Sequence, residues 1–360
     1  MKKKLLVFHI AVAPYRVDFF NRLNKMFDAR ICFLFQSIYS NIKKQLGFTP
    51  IFINRSDGVL RWIKCIVFQI RSFKPDVVVC SEFNLATLAV VLLKILTFKK
   101  YRIISMVDDS YNMIADGNSF SRKHIWATRI LMPFIDNVVN VEPRVVEFFQ
   151  KKYGKGVYMP IIVDENNARK RLQRILPISQ EYVKKYNLEG KMVLLFVGRF
   201  VGLKNIPFAI DAFLKANVKN SVFVIVGDGP EKENIQRMVQ NRNEVIFTGR
   251  LEGDDLYAWY NIAQVFTLQS TREAFGAVTN EALLGGCYCL VSNLAGSNCL
   301  IEENVNGNII DPYDAVKYVE LLKTAFDKVK PISLPLSLKD NLMIEKFDNC
   351  FENMIKKLME

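Results

Sequence analysis

Lys191-Met192-Val193-Leu194-Leu195-Phe196-Val197-Gly198-Arg199 is followed, five residues on, by Lys204. The apolar run is short, rich in branched and aromatic residues, and closed by glycine, as a strand buried on both faces should be. A helical pattern comes next, so the stretch opens a βα unit with two cations at the carboxyl edge of a parallel sheet, where ligand phosphates bind beside helix N-termini. Further strand-like runs recur at Ser221–Val226, 244–247, 264–268, 287–291 and Gly307–Ile310. The same alternation is complete once already upstream, at Lys4–His9, 31–35, 76–80, 102–106 and 137–141. Two such series predict an α/β fold of two Rossmann-like, doubly wound parallel-sheet domains with a ligand cleft between them. Residues 160–177 are polar and basic without a clear period and read as the connection. The expected divisions are 1–165, 166–338 and a last helix over 339–360. That helix carries Leu342, Phe347, Phe351 and Met354 near helical spacing and is expected to cross back to the first domain.

Composition excludes several classes. At 360 residues the chain has room for two cores, and 50% apolar with 24% charged residues marks a fully folded protein. The seven cysteines are scattered and form no Cys-x-x-Cys. Cys287 and Cys289 share one strand face, but two histidines supply a zinc site poorly, so buried thiols in a reducing cytoplasm are expected. The apolar run after Lys2-Lys3-Lys4 is too short for a signal peptide, and residues 85–98, interrupted by Lys94, fall short of the roughly twenty needed to span a bilayer. The net charge of +13 is lopsided. Residues 1–170 hold 27 Lys+Arg against 13 Asp+Glu, and residues 171–360 hold 22 against 23. The first half therefore attracts phosphates, whether of nucleic acid, lipid headgroups or a phosphorylated acceptor.

Two more motifs follow strands of the second half. Val226-Gly227-Asp228-Gly229-Pro230 combines glycines for a tight turn with a proline suited to open a helix. It lacks the third glycine and the later acid of a dinucleotide fingerprint, which disfavours a dehydrogenase. In Glu273-Ala274-Phe275-Gly276-Ala277-Val278-Thr279-Asn280-Glu281, Glu273 lies in a loop and Gly276 admits close approach to the backbone. Glu281 lies one to two turns into the next helix, aimed back along it. A sugar nucleotide fits: its diphosphate on the amides of Phe275, Gly276, Ala277 and Val278, its ribose on Glu281, its sugar beside Glu273. Simple complementation of the helix dipole by the two glutamates is the plainer alternative.

The combination of Gly198-Arg199 with Lys204, Val226-Gly227-Asp228-Gly229-Pro230, Phe247-Thr248-Gly249-Arg250, Gln269-Ser270, the Glu-x7-Glu pair and Gly307-Asn308 resembles the retaining glycosyltransferases of family 4, which have the GT-B fold. The resemblance implies that Arg199 and Lys204 bind the donor diphosphate, that Glu281 holds the ribose and that Glu273 contacts the sugar. Backbone near Gly198, Gly227, Thr248 and Arg250 would line the donor site. Ala13-Pro14-Tyr15-Arg16 resembles the opening of bacterial polysaccharide-assembly members and puts Pro14, Tyr15 and Arg16 on the acceptor side. The chain departs from the family's pattern in three places. The first-loop glycine pair is missing. Cys299 stands where a glutamate is common. Asp108-Asp109 replaces a His-Asp pair, leaving Asp108 as a positional substitute for a catalytic histidine.

The resemblance implies an enzyme using a UDP- or GDP-sugar as co-substrate, with no further cofactor. Asp108-Asp109 also invites a metal reading, but two cations and a helix end already neutralise the diphosphate, so no required metal is expected. It implies transfer to a hydroxyl of a lipid-linked or growing surface polysaccharide. Two basic-apolar stretches, 61–71 and 99–102, together with the charge of the first half, point to peripheral association with an anionic membrane at its cytoplasmic face. Two rivals are a nucleotide-sugar epimerase, which needs no acceptor, and a basic nucleic-acid-binding protein, for which no recognition motif is present. Acceptor contacts are expected in the loops 36–50 and 112–121.

Overall fold

The computed structural model describes residues 2–35, 45–55, 58–116, 120–240 and 242–359. The chain divides into two compact units, Met1–Val163 with Asp348–Glu360, and Asp164–Phe347.

The first unit is built on β1 (Lys4–His9), β2 (Asp28–Phe33), β3 (Ile51–Phe52), β4 (Val77–Ser81), β5 (Arg102–Val107), β6 (Asn137–Asn140) and β7 (Val157–Tyr158). They form one sheet in the order β3-β2-β1-β4-β5-β6-β7, parallel at every pairing. Strands buried on both faces are covered on one side by a cluster containing Phe8, Trp62, Ile66, Ile70, Val90 and Leu131. The helix Phe347–Met359 belongs to this unit, where Phe351 stacks edge-on against Phe19 at 5.7 Å and Asp348 pairs with Arg22 at 2.5 Å.

The second unit contains β8 (Met192–Val197), β9 (Ser221–Val226), β10 (Val245–Gly249), β11 (Val265–Leu268), β12 (Tyr288–Ser292) and β13 (Gly307–Ile310). The order is β10-β9-β8-β11-β12-β13, again all parallel. In each sheet the winding reverses beside its first strand, between β1 and β4 and between β8 and β11. At such a reversal the loops leave in opposite directions and open a crevice at the carboxyl edge. Each unit is thus a doubly wound Rossmann-like domain.

Strands β1, β9 and β13 have the bounds read from the sequence, and the others lie within a few residues of them. The two-residue edge strands β3 and β7 are too short to show a pattern. Residues 160–177 are not an irregular connection: they include the helix Glu165–Arg174 and the start of the helix Leu176–Lys185. Asp164 caps the first by accepting from the amides of Asn166 and Asn167. Its buried face is only Ala168 and Leu172, too narrow a stripe to register as a period. The last helix begins at Phe347 rather than near 339, because residues 339–346 are held in irregular structure by bonds such as Leu342 N–H to the Leu283 carbonyl.

Candidate donor and acceptor sites

At the carboxyl edge of the second sheet, three loops are tied by main-chain hydrogen bonds. Gly198 N–H donates to the Val226 carbonyl (3.0 Å), Phe200 N–H to Asp228 (2.9 Å) and Gly227 N–H to Gly249 (2.9 Å). The approach is close enough that a Cβ on Gly227, whose φ is +147°, would lie 1.9 Å from the Gly198 carbonyl oxygen. This is why the Gly-x-Gly motif is needed without any dinucleotide.

Across the reversal, the loop after β11 grips the loop after β8. Thr271 N–H donates to the Leu203 carbonyl (2.9 Å), Gln269 Nε2 to the Lys204 carbonyl (2.8 Å), and the Lys204 ammonium pairs with the Glu273 carboxylate. Each side chain of that pair is 17% exposed, so it faces the crevice without being sealed from it. Arg199 is exposed and makes no ion pair among the described residues.

Beyond Glu273 the chain turns through Gly276 at φ +93°, over a buried Phe275, into the helix Val278–Leu284. The amides of Gly276, Ala277 and Val278 have no recorded acceptor among the described residues and stand half-buried at the positive end of that helix. The Thr279 hydroxyl bonds to Ser297 (2.9 Å), and Ser297 N–H donates to the Phe275 carbonyl (2.8 Å), fixing the turn against the segment Gly296–Leu300. Cys299 lies half-buried in that segment.

Glu281 lies in the first turn of its helix, not one to two turns in, because the helix starts only at Val278. Its carboxylate is 7% exposed and accepts from Tyr260 OH (2.8 Å) and Tyr257 OH (3.1 Å). Burial raises its pKa, opposed by both tyrosine hydroxyls and by Arg171. Arg171 lies 4.0 Å over the Tyr257 ring and pairs with Asp254 at 2.7 Å. The Tyr260 carbonyl in turn accepts from the ammonium of the half-buried Lys339 (3.1 Å). No local motif announces Tyr257, Tyr260, Arg171 or Lys339. Tyr257 and Tyr260 meet Glu281 through the packing of the helix Gly253–Ile262 against its neighbours, while Arg171 and Lys339 sit behind the two tyrosines.

Thr248 is half-buried, its hydroxyl on the Gly249 carbonyl, while Arg250 is exposed and paired with Glu252 at 2.5 Å. The four backbone segments expected to line the donor site thus share one sheet edge.

The first unit has its own polar cluster at the corresponding edge. Arg16, 1% exposed, donates to Asp108 Oδ1 at 2.6 Å. Pro14 is exposed and Tyr15 half-buried in the same short helical turn, Pro14–Arg16. His9, given no site role from the sequence, is buried beside this pair. Its pKa falls to about 4, chiefly through burial, with Asp108 opposing and Arg16 assisting. Glu82, at φ +58°, has a pKa raised by burial and by Asp108. The Ser81 and Ser110 hydroxyls and both polar atoms of the Asn140 amide are buried without hydrogen-bond partners among the described residues. The expected acceptor loops fall partly outside the described residues, at 36–44 and 117–119. No group of three or more metal-ligating side chains forms among the described residues.

Residues 179–331 match the family model described as glycosyl transferases group 1. A protein in the cps region of Klebsiella pneumoniae is 26% identical over 235 residues, 64% of this chain and 63% of that protein. The UDP-Gal:alpha-D-GlcNAc-diphosphoundecaprenol alpha-1,3-galactosyltransferase of Escherichia coli is 31% identical over 149 residues, 39% of this chain and 38% of that protein. These alignments span less than two thirds of either relative. Among solved structures, Anabaena Alr3699/HepE in complex with UDP superposes with a TM-score of 0.76 at 14% identity, covering 99% of both chains. The fold is GT-B.

Proposed function

We propose, from the match of residues 179–331 to the group 1 glycosyl transferases, that this protein transfers a sugar from a UDP- or GDP-sugar to a hydroxyl acceptor. What carries the reading is the convergence of Arg199, the Lys204–Glu273 pair, the Gly276–Val278 amides and Glu281 on one sheet edge. The cations and amides suit a diphosphate, and a buried carboxylate nearby suits a pentose diol. That Anabaena HepE has been crystallised with UDP-glucose supports a uridine nucleotide as the first donor to try.

In this mechanism Arg199 and Lys204 stabilise the charge that develops on the leaving diphosphate. A departing phosphate oxygen takes the acceptor proton, and transfer retains the anomeric configuration. Glu273 orients the sugar, shifting from Lys204 as the phosphates claim that cation. Asp108, paired with Arg16, belongs to the acceptor side, where Ser81, Ser110 and Asn140 offer unsatisfied donors and acceptors to a hydroxyl-rich glycan. No metal is required, since cations and helix end already neutralise the phosphates. The Klebsiella relative, from a cps region, and the E. coli relative, named for a diphosphoundecaprenol-linked acceptor, support a lipid-linked or surface-polysaccharide acceptor.

A thermal-shift panel of nucleotides and sugar nucleotides tests the donor site, because a ligand of the folded state alone raises the melting temperature with occupancy. A shift with a nucleoside diphosphate and its sugar is expected. None with any nucleotide would overturn the reading. Product analysis with donor alone separates transfer from epimerisation.

A further inference from the structure

The first sheet reverses its winding between β1 and β4, and the strand ends there carry an unusual set of groups. β1 ends in His9, β4 ends in Ser81 and runs on into Glu82, and Asp108 follows β5. Phe8 lies opposite Cys80, and Ser81 opposite Met106, so these ends stand side by side. Glu82 is held at φ +58°, a left-handed angle that costs a residue other than glycine free energy. Three hydrogen bonds keep it there. Its N–H donates to the Met106 carbonyl (2.8 Å), and its carbonyl accepts from the hydroxyls of Thr87 (2.7 Å) and Ser105 (3.2 Å). Yet its half-buried carboxyl group has no hydrogen-bond partner among the described residues. Two neighbours are also unsatisfied. The Ser81 hydroxyl and Arg16 Nε, in residues 4% and 1% exposed, have no partner among the described residues. The other end of the Arg16 guanidinium is taken by Asp108.

We infer that Glu82, with Asp108, grips an uncharged polyol at this edge, so that the accepting sugar is neutral and one bearing a carboxylate or phosphate is rejected. A carboxylate only accepts, and its two oxygens suit the two donating hydroxyls of a diol. The Ser81 hydroxyl can donate or accept beside it, and Arg16 Nε can donate to a sugar oxygen. An anion would find the guanidinium already engaged by Asp108 and would stand against the unpaired carboxyl group of Glu82. Such like-charge contact is strongly unfavourable. His9 offers no relief, since it titrates at about 4 and is uncharged at neutral pH. Burial, and after it Asp108, raises the pKa of Glu82, as expected for two carboxyl groups served by one cation. The rejection concerns the accepting residue, not a diphosphate linker further along the acceptor. That this polyol is the acceptor rests on the transferase reading above; that a polyol binds rests on the groups at this edge, none of which belongs to the donor site.

The test is saturation-transfer NMR on the full chain with UDP present. The probes are the methyl glycosides of glucose, galactose and N-acetylglucosamine, set against methyl glucuronide and methyl glucoside 6-phosphate. At least one neutral glycoside should bind at least about tenfold more tightly than either anionic probe. Glu82→Gln should weaken that binding at least about tenfold, the scale for a lost hydrogen bond to a charged group, with UDP affinity and melting temperature unchanged. Glu82→Asn, an amide suited to the left-handed angle, should lose the binding equally without a lower melting temperature. Anionic probes binding as well as neutral ones, no binding by any glycoside, or binding indifferent to Glu82→Gln overturns the inference. So does a fall in melting temperature that accompanies the loss in both variants, since Glu82 would then serve the fold. Glycoside binding that depends on Glu82, in a protein without UDP affinity, would instead remove the transferase and leave the polyol site standing.

Discussion

The ammonium of Lys204 is held by the carboxylate of Glu273, across the point where the second sheet reverses its winding. One of the two cations assigned to the diphosphate is therefore partnered by the group assigned to the sugar. Binding must exchange one anion for another at Lys204. Removing the competitor should favour a bare diphosphate. Glu273→Gln should bind UDP or GDP at least as tightly as the unmodified protein while losing most turnover. Weaker calorimetric affinity in that variant would place Glu273 on the nucleotide itself.

Arg199→Ala combined with Lys204→Ala removes both cations from the crevice. Turnover should fall at least about a hundredfold, the scale for losing preorganised charge stabilisation in a transition state. Steady-state rates near those of the unmodified protein would refute their role.

Glu281 accepts from two tyrosine hydroxyls, and burial raises its pKa. Glu281→Ala should cost about 1–3 kcal/mol of nucleotide affinity, as loss of a hydrogen bond to a charged group implies. The pH dependence has a definite sign. A carboxyl with a raised pKa takes up its proton at a higher pH than an ordinary glutamate and then binds a diol less well. Affinity should therefore decline on mild acidification, and Glu281→Gln should flatten that decline in titration calorimetry.

His9 gives a stability prediction of opposite character. In the folded protein it titrates at about 4 against an ordinary 6.5, so between those values the unfolded chain binds a proton that the native state does not. Its contribution is fully present above 6.5 and is lost as the pH falls toward 4, by up to about 3 kcal/mol. Urea denaturation of the protein and of His9→Phe across that range should show a shallower acid loss in the variant.

Gly227→Ala would force a Cβ against the Gly198 carbonyl at a backbone angle that favours glycine. The expected loss of stability is on the order of 3 kcal/mol, from overpacking and backbone strain together. A midpoint in urea within error of the parent would show that the loops relax apart.

How far the sequence could be read follows from what each residue depends on. Strands such as β9 announce themselves because a strand buried on both faces is a nearly unbroken apolar run, here Val222–Val226. The glycines announce themselves because only they tolerate the contacts at Gly227 and Gly276. The arrangement around Glu281 was not legible, since Tyr257 and Tyr260 arrive from a helix whose approach is settled by tertiary packing. Arg16 and Asp108 were each picked out, but their 2.6 Å pairing spans 92 residues and leaves no local trace. His9 was passed over because a lone histidine ending a buried strand looks like any core residue. The helix Glu165–Arg174 escaped because two buried residues make no periodicity.

Lys339 lies outside the segment that matches the family, which ends at residue 331. Its ammonium donates to the Tyr260 carbonyl, and Tyr260 donates to Glu281. The segment that matches the family is consequently not a portable cassette. A chimera that transplants only the matched residues would sever a brace that reaches Glu281 from downstream, and the junction should be moved past Phe347.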